Sequence, residues 1–238
     1  MKHPIELLEH YWGFSEFKPQ QEAIIEAVLA NDDCIALLPT GGGKSVCFQI
    51  PALIKDGICI VVSPLIALMQ DQVNTLKAKG IKAMALTSGF SYDDIDRMLD
   101  NCIYGNYKFL YLSPERLQQD LVQERIKQMN VNLIAVDEAH CISQWGHDFR
   151  PAYRDIKYLR TLHPNVNVIG LTASATSKVV YDICTQLDCI APQVLKTSFK
   201  RPNLAYLTLD CEDKYFKTVQ ILKKYSGPSI IYVRNRKA

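Results

Sequence analysis

Eight consecutive residues, Leu38-Pro39-Thr40-Gly41-Gly42-Gly43-Lys44-Ser45, have the types and order needed to hold a phosphate. Adjacent glycines let backbone N–H groups wrap an oxyanion without Cβ clashes. A helix opening at this point would aim its positive end at the same anion. Lys44 would then reach the β- and γ-phosphates of ATP, and Ser45 would offer its hydroxyl to Mg²⁺. Thr40, Gly41, Gly42, Gly43, Lys44 and Ser45 are therefore the candidate nucleotide contacts. Leu38 stands where the general G-x-x-x-x-G-K-[ST] pattern has its first glycine, so the loop departs from that pattern.

A second group with chemistry is Asp137-Glu138-Ala139-His140, directly after the apolar run Leu133–Val136. Asp137 suits a metal ion held directly or through water. Glu138 suits orienting and deprotonating an attacking water. The plain alternative is two carboxylates at a helix N-terminus, where negative charge is stabilised anyway. The presence of the glycine loop in the same chain favours the catalytic reading. Lys44, Asp137, Glu138 and His140 form the catalytic candidates, with Ser45 and Asp137 as the metal ligands.

These groups need a scaffold that brings them together. Apolar runs at Cys34–Leu38, Ile58–Val62, Ala83–Leu86, Lys108–Leu112, Leu133–Val136 and Val166–Leu171 read as strands buried on both faces. Amphipathic stretches between them, for example Gln20–Ala30, Leu65–Lys79 and Pro114–Gln128, read as helices. The alternation predicts an α/β domain with a parallel sheet covered by helices on both faces. Ligands of such sheets bind at the carboxyl ends of the strands, where both groups lie. A polar boundary falls in Lys196–Asn203. Beyond it a strand (Leu204–Leu209), a helix (Lys214–Tyr225) and a strand (Ser229–Val233) are expected.

The glycine loop with Asp-Glu-Ala-His resembles the superfamily-2 helicases. The run Ala139–Pro151 (AHCISQWGHDFRP) narrows the resemblance to the RecQ family, whose aromatic-rich loop it matches almost letter for letter. Trp12-Gly13-Phe14 and Phe17-Lys18-Pro19-Gln20-Gln21 resemble that family's adenine-recognition motif. Val61–Gln72, Leu110–Leu117 and Leu171–Thr176 resemble its DNA-contacting and coupling motifs. Phe199–Asn203 and Ile230–Tyr232 with Arg236 and Lys237 resemble the start of its second lobe. The resemblance implies a first RecA-like lobe over residues 1–197 and a truncated second RecA-like lobe over residues 198–238. It also implies ATP and Mg²⁺ as cofactors, and 3′–5′ unwinding of DNA in repair and recombination; an RNA helicase of the same superfamily and a non-hydrolysing ATP- or DNA-binding module are the alternatives.

Site roles follow residue by residue. Phe14 suits stacking on a purine, Gln21 suits the adenine edge, and Lys18 stands where the family has arginine, keeping the charge without the planar fork. Core packing and a solvated helix face are the alternatives for Phe14 and Gln21. Trp145 and Phe149, with His147 and Arg150, suit stacking on unpaired bases with phosphate contact; a buried aromatic cluster is the alternative. Ser63, Gln72, Ser113 and Arg116 at strand-to-helix junctions suit single-strand backbone contacts, or plain helix capping. Thr172 and Thr176 either couple the two lobes or cap the next helix. By the resemblance, a second lobe supplies arginines to the γ-phosphate. The sequence stops before such a motif, so the chain alone is expected to bind Mg·ATP, hydrolyse it poorly and not unwind.

Composition says less. The net charge is +2 over 238 residues, but residues 1–195 carry 17 Lys+Arg against 22 Asp+Glu, and residues 196–238 carry 10 against 3. That basic tail could meet phosphates or reflect nothing more than a short segment's lopsided charge. The chain begins without a basic start and apolar block, and no apolar run is long enough for a bilayer, so a cytoplasmic protein is expected, nucleoid-associated in a bacterial-type cell. The partners implied are single-stranded and duplex-junction DNA, met by a monomer. The eight cysteines read as packed thiols in a reducing compartment, and the one close pair, Cys184 and Cys189, lacks the second pair that zinc takes.

Overall fold

The computed structural model describes residues 3–146, 148–198 and 203–233. The chain divides into two units, Met1–Phe199 and Lys200–Ala238.

The first unit is built in chain order from α1 (Pro4–Trp12), α2 (Gln21–Leu29), β1 (Cys34–Leu37), α3 (Lys44–Ile54), β2 (Ile58–Val62), α4 (Ile66–Ala78), β3 (Ala83–Leu86), α5 (Tyr92–Tyr104), β4 (Phe109–Leu112), α6 (Asp120–Lys127), β5 (Val131–Val136), α7 (Tyr158–Leu162), β6 (Val168–Thr172), α8 (Ser177–Gln186) and β7 (Gln193–Lys196). The seven strands form one parallel sheet in the order β3-β4-β2-β5-β6-β1-β7. Side chains alternate across it, as a period of two requires. Ile35 and Leu37 of β1, Ile60 and Val62 of β2, and Ile134 and Val136 of β5 pack on one face with α5, α6 and α8. Cys34 and Ala36, Cys59 and Val61, and Leu133 and Ala135 pack on the other with α2, α3 and α4. A smaller cluster of Leu7, Leu8, Ile25, Val46 and Ile50 fastens α1 to α2 and α3.

The strand order decides what meets at the carboxyl edge. Reading across β4, β2, β5, β6 and β1, the sheet sets Ser113, Ser63, Asp137, Thr172 and the Pro39–Ser45 loop side by side. Backbone bonds extend the ladder into these loops: Ser63 N to Leu112 O at 3.1 Å, Asp137 N to Val62 O at 2.9 Å and Leu38 N to Thr172 O at 3.1 Å.

Three expectations are corrected. The stretch Pro114–Gln128 is not one helix: a 3-10 turn over Pro114–Gln118 precedes α6, and Gln119 between them is extended (φ −85°, ψ 124°). Gln123 Nε2 donates to Leu117 O at 2.6 Å, a bond that a continuous helix would not make. β7 is additional; its short, largely exposed Gln-Val-Leu-Lys lacks the continuous apolar signal of the central strands. In the second unit, α9 (Lys214–Lys224) forms where a helix was expected, capped by Asp213 Oδ1 accepting from Phe216 N at 2.9 Å. Leu204–Leu209 and Ser229–Val233, expected as strands, are not in a sheet. A strand needs a hydrogen-bonded neighbour, and among the described residues neither segment has one.

Candidate nucleotide and nucleic-acid site

The glycine loop leaves β1 and ends as the cap of α3, with Lys44 as the helix's first residue. Gly41 and Gly43 both take φ in the left-handed range, +79° and +73°, and a Cβ on Gly42 would lie 2.8 Å from Pro39 O. The loop's shape therefore requires all three glycines. Its carbonyls are tied to the segment before α2. Lys18 Nζ donates to Gly41 O at 2.8 Å, and Gln21 Nε2 donates to Gly43 O at 3.1 Å and Gly42 O at 3.3 Å. Gln21 Oε1 accepts from Lys18 N at 2.9 Å. Gln21 is buried, so both ends of its amide are spent on the protein itself. Next to this lattice lies a cavity of about 430 Å³, lined by Gly13, Phe14, Lys18, Gln21, Gly43 and Val46 among others. Phe14 is 56% exposed beside it, free to present a ring face.

Asp137 and Glu138 follow β5. Asp137 is buried, and its carboxyl accepts from Glu138 N at 3.0 Å. Burial, and then the neighbouring Glu138 charge, push its pKa up to about 6; Lys44 and the Glu138 amide pull the other way. The Ser63 hydroxyl, fully buried and without a partner in good hydrogen-bonding geometry, is still near enough to favour the charged carboxylate. A buried carboxylate that is short of positive charge, facing Lys44, is the donor chemistry that a divalent cation satisfies. Glu138 sits at φ +47°, an uncommon conformation for a residue with a Cβ, and starts the 3-10 turn Ala139–Ile142. Tyr153, fully buried, donates its hydroxyl to Asp137 O at 3.0 Å.

From here a hydrogen-bonded route leads across the sheet. His140 Nδ1 lies 2.9 Å from Thr172 Oγ1 and 3.3 Å from Glu138 Oε2. Thr172 Oγ1 in turn accepts from Ser174 N at 3.2 Å. Thr176, four residues on, caps α8 by accepting from Val179 N at 3.3 Å. The two threonines thus divide the work: Thr176 caps, and Thr172 serves His140. The ligand atoms of His140, Cys141 and Asp148 also lie within 4.8 Å of one another, but His140 is held by Thr172 and the Cys141 thiol by Asp148.

The loop after this turn has a different character. Trp145 is 63% exposed, with Lys178 Nζ of α8 3.1 Å from its ring centroid. Arg154 stands 5.2 Å over the half-buried Phe149 ring. Arg150 Nη1 donates to Pro64 O at 3.2 Å, tying the loop to the one after β2.

Residues 18–183 match the family model for the DEAD/DEAH box helicase. The chain belongs to that family. It is 42% identical over 234 residues to "Probable ATP-dependent DNA helicase RecS" of Bacillus subtilis, covering 97% of this chain and 47% of that protein. It is also 42% identical over 234 residues to "ATP-dependent DNA helicase RecQ" of the same organism, covering 97% of this chain and 40% of that one. The chain thus spans less than half the length of these relatives. Among solved structures, an "ATP-dependent RNA helicase from Sulfolobus tokodaii", described as hypothetical, superposes with a TM-score of 0.62 at 20% identity, over 83% of this chain and 57% of that one, which speaks for the fold alone.

Within this helicase domain the sheet brings Lys44, Asp137, Glu138 and His140 to one edge, and gathers Phe14, Lys18, Gln21 and Gly43 around one cavity. The DNA candidates are less uniform. Ser63 is sealed beneath the surface, where its hydroxyl meets the acidic site and no polymer. Gln72 turns its carbonyl inward to accept from Tyr111 OH at 3.0 Å, with Gln49 beside it. Arg116 is bonded to Thr87 O, and Ser113 is half-buried before its 3-10 turn with no side-chain cap. Among the described residues of the set, Trp145 is the exposed member. His147 lies outside the described residues, as do Phe199–Pro202 and Arg234–Ala238. Sequence reasoning missed Tyr153 and Lys178. Neither belongs to a recognisable spacing, and only the packing of the 3-10 turn over Pro151–Lys157 and of α8 reveals them.

Proposed function

We propose that this chain is the ATP- and single-strand-binding part of a RecQ-type, ATP-dependent DNA helicase. The observation that carries the reading is the adjacency of β5, β6 and β1. It sets the glycine loop, buried Asp137 with half-buried Glu138, and the His140–Thr172 link on one edge, with the loop that carries exposed Trp145 following the acidic pair. Gly41–Gly43 and the start of α3 would receive the phosphates, and Lys44 the β/γ charge. Phe14 would stack on the base, and Lys18 and Gln21 would frame it. Ser45 and Asp137 would hold Mg²⁺, which when bound supplies charge neutralisation at the β/γ oxygens. Glu138 would take the proton of the attacking water. Trp145 and Phe149 would stack on unpaired bases, with Arg150, Arg116 and Ser113 near the backbone. DNA as the polymer, 3′–5′ polarity, and repair and recombination as the setting rest on the RecQ resemblance and the names of the relatives.

The test is binding of a fluorescent ATP analogue with Mg²⁺, and then of single-stranded DNA and RNA oligomers, to the chain and to Lys44→Ala. Nucleotide binding lost in Lys44→Ala, with DNA held more tightly than RNA, supports the reading. Nucleotide binding unchanged in Lys44→Ala would sink it, and equal or tighter binding of RNA would move the substrate to RNA.

A further inference from the structure

The end of α8 brings two thiols together. Beyond Gln186 the chain passes through Leu187 to Asp188, whose φ is +48°. Around it, Cys189 N donates to Cys184 O at 3.0 Å and Asp188 N donates to Thr185 O at 3.3 Å. A six-to-one bond enclosing a five-to-two bond around a left-handed residue is a Schellman motif. The side chains at its first and last positions meet, ordinarily as an apolar contact. Here they are Cys184 and Cys189. Both are half-exposed, whereas Cys34, Cys47, Cys59, Cys102 and Cys141 are buried.

The turn is held on its far side as well. Asp33, buried beneath it, takes both Arg160 nitrogens at 3.0 and 2.8 Å and accepts from Ile190 N at 2.7 Å. Arg160 Nη2 also donates to Asp188 O at 3.0 Å. The two sulfurs are therefore positioned by backbone that has little room to separate them. Within the pair, the interaction between the two sulfurs lowers the pKa of Cys184 and raises that of Cys189. An attacking and a resolving thiol differ in this way.

We infer that Cys184 and Cys189 form a reversible dithiol–disulfide site whose co-substrate is a low-molecular-weight disulfide. The Cys184 thiolate attacks one sulfur of the small disulfide and expels one thiolate. Cys189 then gives up its proton and attacks the Cys184 sulfur of the mixed disulfide, expelling the second thiolate. The balance is two protein thiols and one small disulfide in, and one protein disulfide and two small thiols out, with two electrons passed to the oxidant. The bond formed would clamp the turn that leads α8 into β7. The inference does not depend on the helicase reading, because its chemistry lies at the opposite end of α8 from Thr176.

The test uses the intact chain and oxidised glutathione, read by intact mass and peptide mapping, with half-exposed Cys211 as an internal reference. The expected result is a loss of two hydrogen atoms with no glutathione attached, and a peptide in which Cys184 and Cys189 are linked. Phenylarsine oxide, which bridges only neighbouring thiols, should protect both from alkylation. In Cys189→Ser, Cys184 should instead retain one glutathione. The inference is overturned if Cys184 and Cys189 are alkylated at the rate of Cys211, remain unlinked after oxidation and gain no protection from the arsenical. Circular dichroism of Cys189→Ser separates a chemical effect from lost folding, and the arsenical arm on the unmodified chain decides the matter if that variant unfolds.

Discussion

Asp137–Ile142 and Gln144–Arg150 are neighbours in sequence and opposites in structure. The first stretch lies under the sheet edge, fixed by hydrogen bonds with Tyr153, Thr172 and the β2 backbone. The second projects an exposed tryptophan held by a cation from another helix. On the proposed reading, the contrast separates two tasks, acting on a phosphate and sensing a polymer. Chemistry on a phosphate calls for fixed charges in a dry site, while sensing a polymer calls for a surface that can change its contacts. Placing them back to back means that whatever moves Trp145 pulls on the chain that carries Glu138 and His140. That continuity is a physical link of a few residues.

The sharpest way to break this contrast is to truncate one aromatic from each side. Tyr153→Ala removes a fully buried ring and the hydroxyl on Asp137 O, so unfolding free energy should fall by about 3–5 kcal/mol. Trp145→Ala removes an exposed ring and should cost under about 1 kcal/mol of stability, while weakening single-stranded DNA binding by about 1–3 kcal/mol. Urea titration and a DNA-binding isotherm on both variants check this. Equal losses of stability would mean that the aromatic loop is core after all.

Asp137 gives the next largest effect, and its sign is informative. Its pKa is raised from 3.8 to about 6, so the folded chain binds its proton more tightly than the unfolded chain. The stability this confers is full below pH ~4, is lost as pH rises to ~6, and amounts to about 3 kcal/mol at most. Asp137→Asn should therefore be more stable than the parent at pH 7 and lose that advantage by pH 4, while ceasing to bind Mg·ATP productively. Saturating Mg·ATP should erase the difference at pH 7 by lowering the parent's pKa. A parent chain equally stable relative to Asn at both pH values would show that Asp137 is not strained in the nucleotide-free state.

Much of this was readable from local sequence, for a physical reason. Ile58–Val62 and Ala83–Leu86 were placed to the residue because strands between helical layers are apolar at most positions. Gly41–Ser45 and Asp137–Glu138 were readable because phosphate binding and metal binding need contiguous residue types. The fates of Ser63 and Gln21 were not. Ser63 is sealed against the acidic site because β2 pairs with β5, which is a fact of strand order and not of spacing. Gln21 is consumed by loop carbonyls twenty-one and twenty-two residues away. Polar side chains report what they can bond, and only the fold decides with which partner.

The smallest predicted effect tests the join between the two regions. Lys178 sits in the first turn of α8, after the Thr172–Thr176 loop whose Thr172 holds His140, and its ammonium lies over the Trp145 ring. At an exposed site such a contact is worth about 0.5–1 kcal/mol. Lys178→Met keeps the aliphatic stem and removes the charge, so stability should change by no more than that. In a Trp12→Phe background, Trp145 becomes the remaining tryptophan of the chain and reports its own surroundings. Loss of the cation should shift its emission and free the ring, so single-stranded DNA should bind as tightly or slightly more tightly. If nucleotide binding alters Trp145 emission in the parent but not in Lys178→Met, α8 carries the signal between the regions. If the response survives in the variant, the signal runs through Ala139–Ser143 alone, and the lysine merely shields an exposed ring.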